Sequence, residues 1–249
     1  MTKEERFGLI LKELKASGKV SFEAVASQLQ VSEDTARRDI DALSKNGLLV
    51  KVRGGAMAPS ANPLLFQDRE ELFSDAKKVI ALKALQQLAG CRTVFMDGGT
   101  TMLAVAASLP ADTRLRVITH NMALVPVLGA HPGVELIVLG GQYDRATQTN
   151  LGVQTCLEAA RYQADLYLMG VCSADPAAGI TAAVAADGEV KKAVLASSLK
   201  TLALVNHEKL NTVDFFRVCE LAAIDGLITE LPSDDPRLDG YRAGGVELV

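Results

Sequence analysis

Residues 31–56 read VSEDTARRDIDALSKNGLLVKVRGGA, and this stretch decides the fold of the N-terminal part of the chain. Ser32 is a candidate helix N-cap whose hydroxyl can accept from the free N–H of Asp34 or Thr35, and Glu33 and Asp34 follow where the helix dipole favours negative charge. Ala36, Ile40 and Leu43 supply an apolar stripe. At about 100° per residue, a stripe facing the core turns Asp34, Arg38, Asp41 and Lys45 outward and leaves Thr35 and Arg37 on the flanks. The helix is expected to stop near Asn46 and Gly47. The short β-prone segment 48–52 then runs into Arg53-Gly54-Gly55, the pattern of a wing.

Two more helices precede this one. Phe7, Ile10, Leu11 and Leu14 are spaced as the buried stripe of an amphipathic helix over 2–17, with Gly18 as its stop. A short β segment at Val20-Ser21 follows, with Ser21 as the N-cap of a helix carrying Phe22, Val25, Ala26 and Leu29. Helix, β segment, helix, helix and wing make a winged helix-turn-helix over residues 1–58. Arg37 and Arg38 suit phosphates or the O6/N7 edge of guanine, Thr35 suits a phosphate near the helix start, and Arg53 suits a wing contact. Ser32 and Lys45 complete the candidate DNA-binding set. Asp34 and Asp41 would repel phosphate unless they accept from a cytosine amino group or pair with the arginines. The plain alternative is a small helical bundle with a solvated charged face.

The chain has 249 residues and a formal charge of −4, which by itself argues against nucleic acid. The charge is uneven, however: through Ala58 basic residues exceed acidic ones by 2, so the remainder carries −6. With 49% hydrophobic and 22% charged residues the chain is composed as an ordinary globular protein. No apolar run approaches the roughly 18 residues of a membrane span, and Met1 is followed by polar residues, so a cytoplasmic protein with no membrane partner is expected. Cys91, Cys156, Cys172 and Cys219 are far apart, with no CxxC pair and no histidine at metal spacing. They read as buried reduced thiols, and neither a metal nor a cofactor is expected.

Residues 59–75, PSANPLLFQDREELFSD, read as an interdomain linker that packs through Leu64, Leu65 and Phe66. Over 76–249 helical stretches alternate with short apolar runs at 93–96, 115–118, 135–139, 166–169, 202–205 and 224–228, the pattern of an α/β domain with a mostly parallel sheet. The first run ends in Asp97-Gly98-Gly99-Thr100-Thr101 at the start of a helix, a collection of small residues and free N–H groups suited to an anion. The next ends in Thr119-His120-Asn121 and the third in Gly140-Gly141. Lys209 follows the run at 202–205, Gly170 ends a strand, and Gly179 and Thr181 are expected in a loop. Ligands of open parallel sheets bind at these carboxyl ends, and a phosphate on a hydroxylated carbon chain suits the residues collected there. Asp97 could bind a sugar hydroxyl or simply end its strand, Lys209 could contact phosphate or hydroxyl or be solvated, and His120 and His207 could be structural or ligand-binding.

Residues 31–40, with Gly47 and Arg53-Gly54-Gly55-Ala56, resemble the signature of the DeoR family of bacterial transcriptional regulators, although Ala36 stands where that family usually has a larger aliphatic residue. From about Lys77 to Thr229 the chain is similar to the family's sensor domain. The resemblance implies a fold related to ribose-5-phosphate isomerase, glucosamine-6-phosphate deaminase and CoA-transferases. Asp97-Gly98-Gly99-Thr100-Thr101 matches the family's phosphate loop, Thr119-His120-Asn121 resembles its Thr-Asn-x segment with an added histidine, and Gly140-Gly141 matches directly. Asn206-His207-Glu208-Lys209 departs from the usual Asp-x-Ser-Lys but keeps the lysine, and residues 170–176 depart from the typical loop. The resemblance implies a repressor of a carbohydrate-metabolism operon that binds double-stranded operator DNA and responds to a phosphorylated sugar or polyol. A homodimer or homotetramer is expected, since helix-turn-helix proteins read paired half-sites. The rival reading is an isomerase or deaminase using Asp97, Asp187, Glu189 or Lys209. The sequence offers it no compact acid/base pair, so an enzyme is not expected.

Overall fold

Local capping starts each of the first three helices. In α1 (Lys3–Ser17) the Thr2 side chain accepts from the Glu5 N–H at 3.2 Å while the Glu5 carboxylate accepts from the Thr2 N–H at 2.7 Å. Ser21 caps α2 (Phe22–Leu29) and Ser32 caps α3 (Glu33–Lys45), each through its hydroxyl. The protein is described here from a computed structural model covering residues 1–46, 48–58 and 65–249, with all side chains except those of Lys15 and Ala16. Gly47 and residues 59–64, which include a helix stop and the first part of the linker read above, lie outside the described residues.

Strands β1 (Lys19–Ser21), β2 (Val50–Val52) and β3 (Gly55–Met57) form an antiparallel sheet in the order β1-β3-β2. Gly55 is required there, because a Cβ would lie 1.9 Å from the Val20 carbonyl oxygen. Ile10, Leu14, Val25, Leu29, Ala36, Ile40 and Leu43 fill one core, so the winged helix-turn-helix has its own apolar interior. Ala36 is fully buried.

The segment leading to the second domain contains a short helix, α4 (Phe66–Glu70), with Phe66 buried and its N–H bonded to the Ala146 carbonyl at 2.7 Å. Next come α5 (Ser74–Gln86), β4 (Thr93–Met96), α6 (Thr100–Ala107), β5 (Leu115–Thr119), α7 (Val125–Gly129) and β6 (Val134–Val138). A hairpin of β7 (Gln142–Asp144) and β8 (Thr149–Leu151) leads into α8 (Val153–Ala159) and β9 (Leu166–Gly170). After β10 (Ser173–Asp175) and β11 (Gly179–Ala182) come α9 (Ala185–Ala196), β12 (Thr201–Leu204), β13 (Phe216–Cys219), β14 (Gly226–Ile228), α10 (Asp239–Ala243) and β15 (Glu247–Leu248).

The main sheet runs β15-β14-β12-β9-β4-β5-β6, and every neighbouring pair is parallel. Its six inner and first-edge strands coincide, within a residue or two, with the six apolar runs. Alternate residues feed two cores. Val94, Met96, Leu166, Leu168, Leu202 and Leu204 pack with α5 and α6, whereas Phe95, Tyr167, Met169, Ala203 and Val205 pack with α8 and α9.

Several details differ from the sequence expectation. Gly179 and Thr181 lie in β11 rather than in a loop, within a small antiparallel sheet β10-β11-β13. Of the cysteines only Cys219 is buried; Cys91, Cys156 and Cys172 are half-buried. Among the described residues no helix is long and apolar enough to cross a membrane.

Candidate functional site

On α3 the exposed face is the one read from the helical wheel: Arg37, Arg38 and Lys45 are exposed, Thr35 is half-buried, and Ala36, Ile40 and Leu43 are buried. Ser32 Oγ accepts from the Thr35 N–H at 3.2 Å and lies 2.9 Å from Thr35 Oγ1, which fixes the start of the helix. The two acids in question are both paired. Asp34 bridges Arg38 at 2.6 Å with both side chains largely exposed, and Asp41 pairs with Lys51 of β2. Arg37 lies 4.9 Å over the ring of Phe22, which holds its guanidinium between α2 and α3. Arg53 is exposed at the turn between β2 and β3, where Gly54 has φ +88°. One feature escaped the sequence reading: Asp39 is buried and accepts from Arg6 Nε at 2.5 Å and Nη2 at 3.0 Å, tying α1 to α3.

In the second domain a cavity of about 70 Å³ opens at the carboxyl ends of the parallel strands, bounded by Gly98–Thr101, Gly170–Cys172, the β7–β8 hairpin, α9 and Lys209. In the chain order of the sheet, β4 is followed by strands on one side and β9 by strands on the other, so the cavity sits at the switch point of the topology. Two glycines make this possible. Gly99 adopts φ +100° as the N-cap of α6, and a Cβ on Gly170 would lie 2.4 Å from the Gly98 carbonyl oxygen. No side chain caps α6, so its first-turn N–H groups are available where Gly99, Thr100 and Thr101 line the cavity.

The Asp97 carboxylate is saturated from inside the protein. Oδ1 accepts from the Gly98 N–H at 2.7 Å, and Oδ2 accepts from Tyr167 Oη at 2.7 Å, the Gly170 N–H at 3.1 Å and Lys191 Nζ at 2.5 Å. It is buried behind the cavity wall, where it organises the loop and withdraws the Gly98 N–H from any ligand. Thr119 and Asn121 are also buried behind the loop. Thr119 Oγ1 donates to the Met96 carbonyl at 2.6 Å, and Asn121 Nδ2 donates to the Asp97 and Gly99 carbonyls at 3.2 and 3.4 Å. Gly140 and Gly141 stand apart from the cavity. The Gly140 N–H donates to Glu158, its carbonyl accepts from Thr155, and a Cβ on Gly141 would lie 2.1 Å from Thr155 Oγ1. They build the turn against α8.

Lys209 lines the cavity and donates to the neutral Val171 carbonyl at 2.8 Å. Burial, and then the neighbouring cations Arg69, Lys77 and Lys191, push its ammonium down to about 8. Lys77 is lowered to about 8 by burial and by Arg69, and it donates to the Arg69 and Glu70 carbonyls. Arg69 was hidden in the linker segment. Its side chain lines the cavity, and its Nε is buried without a hydrogen-bond partner.

The tertiary structure also gathers an acid/base cluster that chain spacing concealed. Lys191 Nζ lies 3.3 Å from Asp187 Oδ2, and His120 Nε2 lies 3.5 Å from Asp97 Oδ1 and 3.6 Å from Asp187 Oδ1. Burial opposes the charge on Asp187, but Lys191 and His120 hold its carboxyl down to about 2, which makes it a weak general base. Asp97, His120 and Asp187 present ligand atoms within 4.8 Å of one another, but the Lys191 ammonium bonds both carboxylates and supplies the cation itself. His207 is held apart from this group, between Glu230 and the ring of Phe73.

Two family models match this chain: the DeoR-like helix-turn-helix domain over residues 6–62 and the DeoR C terminal sensor domain over residues 73–231. The HTH-type transcriptional repressor GlcR of Bacillus subtilis is 32% identical over 251 residues, covering 100% of this chain and 96% of that protein. The glycerol-3-phosphate regulon repressor of Haemophilus influenzae is 29% identical, covering 92% of this chain and 90% of its own length. Among solved structures, ribose 5 phosphate isomerase A from Neisseria gonorrhoeae superposes with a TM-score of 0.40 at 14% identity, over 55% of this chain and 53% of that one. With both domain models matched in order and a relative aligned along its whole length, the chain belongs to the DeoR family of transcriptional regulators.

Proposed function

We propose that this protein is a repressor of a carbohydrate-metabolism operon whose hold on operator DNA is set by a phosphorylated sugar or polyol bound in the sensor-domain cavity. One observation carries the reading. The uncapped N-terminus of α6 opens into a cavity shared with Lys209, whose partner is a neutral carbonyl, and Arg69, whose Nε has none. Helix N–H groups and two cations in one cavity favour a dianion, and the Arg fork matches phosphate oxygens. Gly99, Thr100, Thr101, Arg69 and Lys209 would hold the phosphate. Asp97, Gly98, Thr119 and Asn121 would keep the loop in shape behind it, and Gly140 and Gly141 would position α8.

At the other end, Thr35, Arg37, Arg38 and Lys45 would meet the major groove and its phosphates, Ser32 would fix the helix start, and Arg53 would reach from the wing. A homodimer or homotetramer would present two such faces to paired half-sites. The effector acts only if it binds the DNA-competent and DNA-incompetent arrangements unequally. The reading agrees with relatives named as a glycerol-3-phosphate regulon repressor and a lactose phosphotransferase system repressor.

The test is a thermal-shift screen of phosphorylated sugars and polyols on the full chain, followed by DNA-binding titrations with each stabilising compound. A ligand that raises the melting temperature and changes operator affinity is the expected result. Stabilisation by no phosphorylated compound would overturn the effector site.

A further inference from the structure

Asp187, ion-paired with Lys191, places a carboxylate in the wall of the same cavity that holds Arg69 and Lys209. Its side chain keeps some exposure, about 10%, and it is flanked by His120 and by Lys191, which also lines the cavity. It also stands close to the anion loop, since a Cβ added to Gly98 would lie 3.8 Å from its Oδ1. A second carboxylate, Asp214, lines the cavity and accepts the Ser173 hydroxyl at 2.7 Å. A ligand filling this space therefore meets cations, helix N–H groups and carboxylates in one lining, with Asp187 beside the anion loop.

An ionised carboxylate can only accept hydrogen bonds, so it favours a hydroxyl and opposes any further negative charge. The Lys191 ammonium lies between Asp187 and Asp97, one cation against two carboxylates, so the cluster keeps negative charge beside the cavity. The exposed part of Asp187, about 10% of its side chain, can accept a hydrogen bond from a ligand hydroxyl.

We propose that Asp187 reads a hydroxyl of the effector and thereby restricts the site to phosphomonoesters of neutral polyhydroxylated chains, rejecting chains that end in a carboxylate or a second phosphate. This rests on the anion site proposed above and sets the chemistry of the rest of the ligand. Asp187 acts as a specificity residue in direct contact with the bound molecule.

Two pairs of probes differ only in a terminal CH2OH against a carboxylate: glycerol 3-phosphate with 3-phosphoglycerate, and glucitol 6-phosphate with 6-phosphogluconate. Calorimetric titration of the full-length protein should show the neutral member of at least one pair binding about tenfold or more tightly than its acidic partner. In Asp187→Asn the ratio should shrink to about threefold or less, mainly because the acidic ligand gains. A purely structural Asp187 would weaken both members alike.

Equal wild-type affinity within both pairs, or an unchanged ratio in Asp187→Asn, overturns the assignment. So does phosphate binding with no member of either pair bound. If inorganic phosphate itself fails to bind the wild type, the anion site falls, and this inference falls with it. The wild-type ratios decide the matter even if the variant does not fold, and Asp187→Ser offers a second replacement.

Discussion

Lys191 Nζ lies 2.5 Å from Asp97 Oδ2 although the two residues are 94 apart in sequence, and both side chains are buried. Through the same carboxylate the Gly98 and Gly170 N–H groups are held, so one ion pair joins the turn after β4 to the end of β9. Removing the cation would strand Asp97 and Asp187 as buried, uncompensated carboxylates. Lys191→Met should therefore lower stability by about 3–5 kcal/mol. Urea denaturation checks this, and a loss under about 1 kcal/mol would show that the pair is not structural.

The lowered lysines give the sensor a pH signature. Lys209 and Lys77 each titrate near 8, against an ordinary 10.5. Below about pH 8 both carry their protons and a phosphate finds the cations ready. Between about 8 and 10.5 a dianion bound beside Lys209 must draw a proton onto it, so effector affinity should fall by up to about tenfold per pH unit. Over the same window the unfolded chain binds more protons than the folded one, so the ligand-free protein gains stability from these groups as pH rises. Calorimetry in buffers of different ionisation enthalpy should detect proton uptake at pH 8.5, and Lys209→Met should reduce it. Uptake that Lys209→Met leaves unaltered would exclude a role for that lysine.

Arg38 is exposed and its partner Asp34 is exposed as well, so the pair contributes little to folding. Arg38→Ala should leave the melting temperature within a degree or so of the wild type but weaken binding to a selected operator sequence. It should also reduce the slope of log affinity against log salt by about 1. Phosphosugar binding should persist. Unchanged DNA affinity would remove α3 from the interface.

Asp39 makes the opposite case on the same helix, because it is buried and doubly bonded to Arg6. Asp39→Asn should destabilise the winged helix-turn-helix by about 3 kcal/mol, since the guanidinium loses its charged partner. Operator binding should fail at temperatures where the effector-induced thermal shift of the sensor domain is intact. Simultaneous loss of both would contradict the independence of the two cores.

Much of the architecture was legible along the chain. The serines at 21 and 32 cap the helices they were read to cap, and the six apolar runs became neighbours in one parallel sheet. The hairpin β7–β8 and the small sheet β10-β11-β13 were not anticipated, because strands of three or four mixed residues lack a measurable period and exist through their pairing partners. Arg69 was overlooked because it lies in a segment with no helical pattern, and Lys191 because a lysine on a helix usually means a solvated surface charge; Asp187 was named only for the rival enzyme reading.

The sequence by itself determined the order of the domains, the helices and their caps, the outward face of α3 and the glycine-threonine turn before α6. These depend on backbone geometry within a few residues, and side-chain types a turn apart report it. Only the tertiary structure decided which polar residues face the cavity. Parallel pairing sets the ends of β4 and β9 side by side, so Asp97 is consumed by Gly170, Tyr167 and Lys191 while Arg69, Asp187 and Lys209 reach the cavity wall. That division follows from long-range register and from the cost of leaving a buried charge unpaired, and neither is written in the spacing of neighbouring residues.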